Sequence, residues 1–179
     1  YEFRSQFNQS TDPYERSLLF LYLNRHGYNG LCRYNESGGY NVPFGRYKHP
    51  YFPQKELEFF SEKAQKATFM QGDFETAFSE LRAGDVVYCD PPYSPINRTS
   101  NFTAYAGNSF TDDDQRRLVN CAEPAKNIGV PTLISNHYVD FTSELYKDAN
   151  KKKLFQVQRS ISQKGKGRIK VQEILALYK

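Results

Sequence analysis

The run Val86-Val87-Tyr88-Cys89-Asp90-Pro91-Pro92-Tyr93 constrains the fold of this chain more than any other segment. Val86, Val87 and Tyr88 suit a strand that packs inside a sheet. The two prolines stop that strand abruptly, because neither can donate a ladder hydrogen bond. Asp90 is therefore expected at the carboxyl end of a strand. In open α/β sheets that edge is where ligands bind, in the crevice beyond the strand ends.

A site of this kind has a definite chemistry. A planar aromatic amine needs two acceptors for its two N–H groups if its nitrogen is to face an electrophile. The Asp90 carboxylate supplies one acceptor, the Pro91 carbonyl can supply the other, and the Tyr93 ring can stack on the base. No external base has to remove a proton first, since accepting hydrogen bonds in a shielded site raises the electron density on nitrogen. The substrate class that fits is the exocyclic amine of a nucleobase, and the reaction its methylation. The same four residues also read as loop punctuation, because Pro-Pro commonly ends a strand and Asp before Pro initiates turns. The surrounding segments decide between the two.

Composition sets outer bounds. A chain of 179 residues is long enough for one well-buried domain, or for one domain with a modest insertion. Hydrophobic residues make up 39% and charged residues 25%, which reads as soluble and globular, and no apolar run approaches membrane-spanning length. No charged-then-apolar leader opens the sequence. Cys32, Cys89 and Cys121 are odd in number and far apart, as expected of reduced intracellular thiols. His26, His49 and His137 have no partner at ligand spacing, so no metal site is expected. A net charge of +4 permits a polyanionic partner, and without tryptophan any stacking falls to the 14 Tyr and 14 Phe.

Along the chain, Asp12, Pro13 and Glu15 have the spacing of a helix cap, and Leu18, Leu19, Tyr22 and Leu23 supply an apolar stripe ending at Gly27. Residues 24–53 differ from the rest. They hold Asn24, Asn29, Asn35 and Asn41, five tyrosines, and Arg25, Arg33, Arg46 and Lys48, with Glu36 as the one acid. Asparagine can bridge base edges, arginine can pair with guanine or phosphate, and tyrosine can wedge between base steps. A connector this long inside a compact domain favours nucleic-acid recognition over a solvated linker. A helix is predicted from Gln54 to about Ala67, then a short strand at residues 68–71 leading into Asp73-Phe74. A carboxylate and a ring at a strand end can hold an adenine, although alone they read as a turn and a core phenylalanine. Residues 94–110, with Asn101, Phe102, Tyr105 and Asn108, suit a lid or a surface loop. Thr111 and Asp114 form a second capping pair. A buried strand follows at residues 131–135, ending in Asn136-His137, then a helix at 142–149 and the basic run Lys151-Lys152-Lys153. A closing hairpin carries Leu154, Val157 and Ile161 against Ile169, Val171, Ile174 and Leu177, with a basic tip at 164–168.

The strings FLYLNRHGYNGLCRYN (20–35), NVPFGRYK (41–48), DPPY (90–93), NFTAY (101–105), RSIS (159–162) and LALYK (175–179) resemble, in order, the Dam family of DNA adenine methyltransferases. The resemblance covers essentially the whole chain. It implies an α/β fold: a Rossmann-like S-adenosylmethionine-dependent core, with a mostly parallel sheet and a C-terminal antiparallel hairpin, plus a mainly helical DNA-recognition insertion. Residues 1–67 would form the target-recognition domain and 68–179 the catalytic core. The implied reaction moves a methyl group from S-adenosylmethionine to a flipped-out adenine in duplex GATC.

By position, Asp90, Pro91 and Tyr93 would hold and stack the target base. Asp73, Phe74 and Asp90 would contact the cofactor. Tyr28 would intercalate, Asn29 would pair with the orphaned thymine, Leu31 and Pro43 would touch a thymine methyl, Arg33 would read guanine, and Arg46 and Lys48 would contact phosphate. The resemblance further implies a monomer acting on DNA in the cytoplasm, with no membrane or metal partner. Family members carry a glycine-rich cofactor loop upstream of the recognition insertion, and nothing before Tyr1 supplies one here. The expectation is either part of a longer enzyme or a DNA-binding remnant without catalysis. Methylation of RNA or of protein amides is the other enzymatic alternative, but there Asn commonly replaces the first Asp.

Overall fold

Helix starts fall where capping chemistry puts them. The Asp12 carboxylate accepts from the Glu15 N–H at 2.8 Å, and Pro13 opens helix α2, Pro13–His26. The reciprocal half of the cap runs through Ser10, whose hydroxyl donates to the Glu15 carboxylate and accepts from the Asp12 N–H. Gly27 ends α2; a Cβ there would lie 2.6 Å from the Leu23 carbonyl oxygen. An unanticipated helix α1, Glu2–Gln9, precedes α2 and changes which stripe is inside. Leu18 is 54% exposed. Leu19, Phe20 and Leu23 instead pack on the buried Phe7, Tyr40 and Val42.

The computed structural model describes residues 1–96, 110–158 and 170–179. It divides the chain into two units, Tyr1–Met70 and Gln71–Lys179, where the sequence reading puts the division at 67/68. In the first unit residues 31–53 form no helix or named strand. They are shaped by two isolated bridges, Gly27 with Phe44 and Tyr34 with Tyr40. Helix α3, Gln54–Ala64, follows Pro53, stops short of Ala67 and buries no residue. The strand predicted at 68–71 does not form. No described strand pairs with those residues, and an extended segment without a ladder partner is not a strand.

The second unit is a mixed α/β layer. It contains α4 (Phe74–Ser79), β1 (Val87–Cys89), α5 (Asp112–Asn127), β2 (Thr132–His137), α6 (Asp140–Leu145), β3 (Lys151–Gln158) and β4 (Lys170–Tyr178). The sheet order is β1-β2-β4-β3. One pairing is parallel, β1 with β2, and two are antiparallel. The expected mostly parallel sheet is thus not seen among the described residues, because β4 returns between β2 and β3 and makes both of its pairings antiparallel. Thr111 caps α5 with the full reciprocal box to Asp114. Leu118 and Ala122 of α5 pack on Ile134 of β2 and on Ile174, Ala176 and Tyr178 of β4, with Tyr146 completing the cluster. The face of β4 toward this core therefore carries Ile174, not Leu177 with it, since alternate residues point to opposite faces.

Strand β1 is less buried than its sequence suggests. Val86 is 75% and Tyr88 62% exposed, since β1 is the edge of the described sheet. Strand β2 extends through Asn136 and His137, and α6 begins two residues before the helix expected there. Among the described residues no helix is long and apolar enough to cross a membrane. Residues 97–109 of the expected lid, the basic tip at 164–168, the string at 159–162, Ile161 and Ile169 lie outside the described residues.

Candidate functional site

Asp90 follows the last residue of β1, and parallel pairing brings the corresponding end of β2 beside it. Cys89 is in register with Ile134, so Ser135 stands next to Asp90. The Ser135 hydroxyl lies 2.8 Å from Asp90 Oδ1 and 3.2 Å from the Cys89 carbonyl oxygen, and it accepts from the Tyr88 hydroxyl at 3.2 Å. Tyr93 lies against the His137 ring, edge to face, with centroids 5.0 Å apart. Burial pushes the Tyr93 phenol up to about 12; a hydrogen bond with Ser135 works against this, and the Asp90 charge adds to it.

The loop from Asp90 to Ser94 is held from beneath by a buried polar network. Asn136 Oδ1 accepts from the N–H groups of Ser94 (2.8 Å) and His137 (2.9 Å). Asn136 Nδ2 donates to Gln115 Oε1 and to the Tyr146 hydroxyl, both at 3.0 Å. Gln115 Nε2 in turn donates to the Pro92 carbonyl at 2.8 Å, and His137 Nδ1 sits 2.8 Å from the Ser94 carbonyl oxygen. Thr142 closes the far side by donating to the His137 carbonyl at 2.6 Å. No described group engages the Pro91 carbonyl. The structure thus brings Asp90, Pro91 and Tyr93 together in one loop, with the Pro91 carbonyl beside the carboxylate and not engaged by any described group.

A cavity of about 440 Å³ adjoins the loop, lined by Phe74, Phe78, Leu81, Val87, Asp90 and Leu118 among others. Phe74 is on its wall, but the Asp73 carboxylate is committed elsewhere. It caps α4 by accepting from the Glu75 N–H at 2.9 Å and pairs with Arg117, whose guanidinium also holds Glu75 and Asp114. The Glu75 amide first, then Arg117, hold the Asp73 carboxyl below its ordinary range. Burial pushes the Cys89 thiol up to about 11, with Cys121 nearby adding to it, so it is a packed thiol and not a nucleophile. Among the described residues no group of three or more His, Cys, Asp or Glu could hold a metal ion.

In the first unit, residues 27–45 form a turn-rich frame. The Tyr28 N–H donates to the Pro43 carbonyl (2.9 Å) and the Gly45 N–H to the His26 carbonyl (2.7 Å). Tyr28, about half exposed, and Asn29 stand on a single helical turn, with Asn29 in the left-handed region at φ 53°. Arg33 is exposed but ordered: Nε donates to Asn41 Oδ1 at 2.7 Å and a terminal nitrogen to the Asn41 carbonyl at 3.1 Å. Pro43, Arg46 and Lys48 are exposed, and Leu31 is half-buried against Tyr40, whose hydroxyl donates to the Leu31 carbonyl at 3.0 Å. Sequence reasoning assigned no role to Ser135, Gln115 or Asn136, and did not pair Asn41 with Arg33. The first three lie more than 20 residues from the motif they serve, and only strand register could have pointed to them.

The second unit thus sets Asp-Pro-Pro-Tyr at the end of a parallel-paired strand of a mixed α/β sheet. The D12 class N6 adenine-specific DNA methyltransferase profile matches residues 1–161, and this chain belongs to that family. The DNA adenine methylase of Vibrio cholerae serotype O1 is 54% identical over 178 residues, which is 99% of this chain and 64% of the relative. That of Escherichia coli K12 is 54% identical over 179 residues, covering 100% and 64%. That of Haemophilus influenzae is 50% identical over 179 residues, covering 99% and 62%. The chain thus spans somewhat under two thirds of the length of these relatives.

Proposed function

We propose that this protein methylates N6 of adenine in duplex DNA at GATC, using S-adenosylmethionine and a target base flipped out of the helix. The observation that carries this reading is the Asp90 carboxylate, held by Ser135 at a strand end with Tyr93 two residues further on and no described group engaging the Pro91 carbonyl. Asp90 accepts one N6–H and the Pro91 carbonyl the other, which leaves the nitrogen facing the methyl donor, and Tyr93 stacks on the ring. Once the nitrogen has gained its methyl group, its surplus proton leaves by way of Asp90, which is open to solvent.

The apolar cavity beside Asp90 fits the heteroaromatic end of S-adenosylmethionine, with Phe74 as the stacking surface. When bound, the cofactor supplies a methyl group on a sulfonium. Asp73, which starts the helix that carries Phe74, and Asp90 contact the cofactor beside it. We read the second unit as the Rossmann-like catalytic core and the first as the mainly helical target-recognition part. In it, Tyr28 wedges between base steps, Asn29 meets the orphaned thymine, Leu31 and Pro43 touch a thymine methyl, and Arg33 reads guanine. Arg46 and Lys48 contact phosphate, so binding weakens as salt rises. The protein acts as a monomer on DNA in the cytoplasm.

The test is transfer of labelled methyl groups from S-adenosylmethionine to a GATC duplex and to a scrambled duplex, with the full-length protein. Transfer to GATC alone is expected, with Asp90→Ala lowering it about 10²–10³-fold, as for loss of a group aimed at the reacting atoms. Binding of GATC without transfer, unaltered by Asp90→Ala, would leave a DNA-binding protein and remove the enzyme. Arg33→Ala should cost about 1–3 kcal/mol of discrimination at one base pair. Equal loss on every sequence would reassign Arg33 to the backbone.

A further inference from the structure

We infer that Ser135 is the positioning residue of the site, its hydroxyl clamping the Asp90 carboxylate in the rotamer that faces the substrate amine. This rests on the methyl-transfer reading above. Ser135 is 3% exposed, although it stands on the face of β2 opposite the apolar cluster of Ile134. A hydroxyl has one proton to give. Two acceptors compete for it, Asp90 Oδ1 at 2.8 Å and the Cys89 carbonyl at 3.2 Å. The shorter contact to the ionised acceptor is the stronger, since charge-assisted hydrogen bonds are about twice as strong as neutral ones. The oxygen also accepts from the Tyr88 hydroxyl at 3.2 Å.

One buried oxygen therefore touches the acceptor and the strand that carries it. Asp90 has two side-chain torsions and is open to solvent, so without the clamp its carboxylate can swing between water and the cleft. A swing of about 1 Å at a reacting centre can cost on the order of 10²-fold in rate. The competing account is that Ser135 merely closes the β1–β2 junction through the Cys89 carbonyl. On that account its loss lowers stability and leaves the chemistry of each folded molecule unchanged.

The experiment compares Ser135→Ala and Ser135→Thr in the full-length protein by two readouts. The first, independent of activity, is the Asp90 side-chain carboxyl carbon resonance in protein labelled at aspartate Cγ, assigned by its disappearance in Asp90→Ala. It should move in Ser135→Ala and return toward wild type in Ser135→Thr, which keeps the hydroxyl. The second is single-turnover methyl transfer. Ser135→Ala should lose about 10–10²-fold in rate with cofactor and duplex affinity within about twofold, and Ser135→Thr should recover most of it. An unmoved Asp90 resonance overturns the clamp. A moved resonance with an unchanged rate overturns the positioning role. A wild-type protein that transfers no methyl group overturns the functional reading and the positioning role with it, while the resonance still decides the clamp.

Discussion

Asn136→Ala tests how much of the candidate site is held by one buried side chain. The wild-type amide makes four hydrogen bonds, all within 3.0 Å, and is fully buried. Truncation strands the Ser94 N–H and the Gln115 Oε1, while the Tyr146 hydroxyl can turn to find another partner. A stranded buried polar group costs about 1–3 kcal/mol, so two such groups, with water entering part of the space, give an expected loss of about 2–4 kcal/mol. That is a large share of the roughly 5–15 kcal/mol that hold a domain folded. Urea unfolding followed by tyrosine fluorescence measures it directly, because the chain has 14 tyrosines and no tryptophan. Amide exchange at Ser94 should rise in parallel. A loss below about 1 kcal/mol, with Ser94 exchange unchanged, would show that water replaces the amide freely and that the network does not fix the loop. Asn136→Asp sharpens the test. A buried carboxyl there has a raised pKa, so the variant should gain stability as pH falls through that value and its O–H becomes able to donate to Gln115. Wild type has no ionisable group at that position, so the pH-dependent recovery should be absent from it.

Arg117→Gln should flatten the acid dependence of stability in the second unit. The Asp73 carboxyl is lowered first by the Glu75 amide and then by Arg117, and that of Asp114 first by the Thr111 amide, then by the Thr111 hydroxyl and then by Arg117. Their contribution is complete above the ordinary carboxylate range of about 4 and is lost as pH falls through the lower folded values. Melts between about pH 5 and 2 should therefore show a smaller decline in the variant, with a residue of the slope left by the helix caps; an identical slope would refute the role of Arg117. Gly45→Ala should disrupt the recognition frame, since a Cβ there would lie 2.9 Å from the carbonyl oxygens of both His26 and Gly27. Duplex affinity should fall together with melting of the first unit, and wild-type affinity in Gly45→Ala would show that the crossing at Gly27 and Phe44 is unimportant.

Local chemistry was legible in the sequence where a residue acts on its near neighbours. Asp12 and Thr111 cap helices because a side-chain oxygen three residues before an amide has one obvious partner. The end of β1 was legible because Pro91 and Pro92 cannot continue a ladder. Burial was less legible. Val86 and Tyr88 have the composition of an interior strand, yet exposure depends on which strand lies alongside, and no period in eight residues records that. Leu18 fits a helical stripe as well as Phe20 does. The choice between them was made by α1 and by Tyr40, which dock on the Phe20 side. Residues 68–71 have strand-forming side chains and no partner strand among the described residues. The Asp73-Phe74 pair separated into a cap with an ion pair and a cavity wall, because Arg117, 44 residues away, claims the carboxylate.

The recognition of the site from Asp90-Pro91-Pro92-Tyr93 alone has a physical limit, and register defines it. Pairing of Val87 with Thr132 is fixed by the Val87 N–H donating to the Pro131 carbonyl at 2.9 Å, and from there each residue of β1 meets one residue of β2. Counting on from Cys89 and Ile134 sets Asp90 beside Ser135, while Asn136, on the opposite face, points down to Gln115 and Tyr146. A slip of one residue would exchange the two faces. It would set an isoleucine or a buried amide beside Asp90 and turn the serine into the apolar core. The motif supplies the acceptor and the ring; the parallel register of two short strands supplies the hydroxyl that aims one and the amides that hold the loop between them. Site chemistry here therefore depends on a pairing that neither strand specifies by itself. Substitutions that disturb that register without touching Asp90, such as replacing Thr132 or Ile134 by bulkier side chains, should lower methyl transfer along with Ser135 clamping, and should do so in proportion to the change in the Asp90 resonance. Loss of transfer with the resonance unmoved would separate register from chemistry and refute the link.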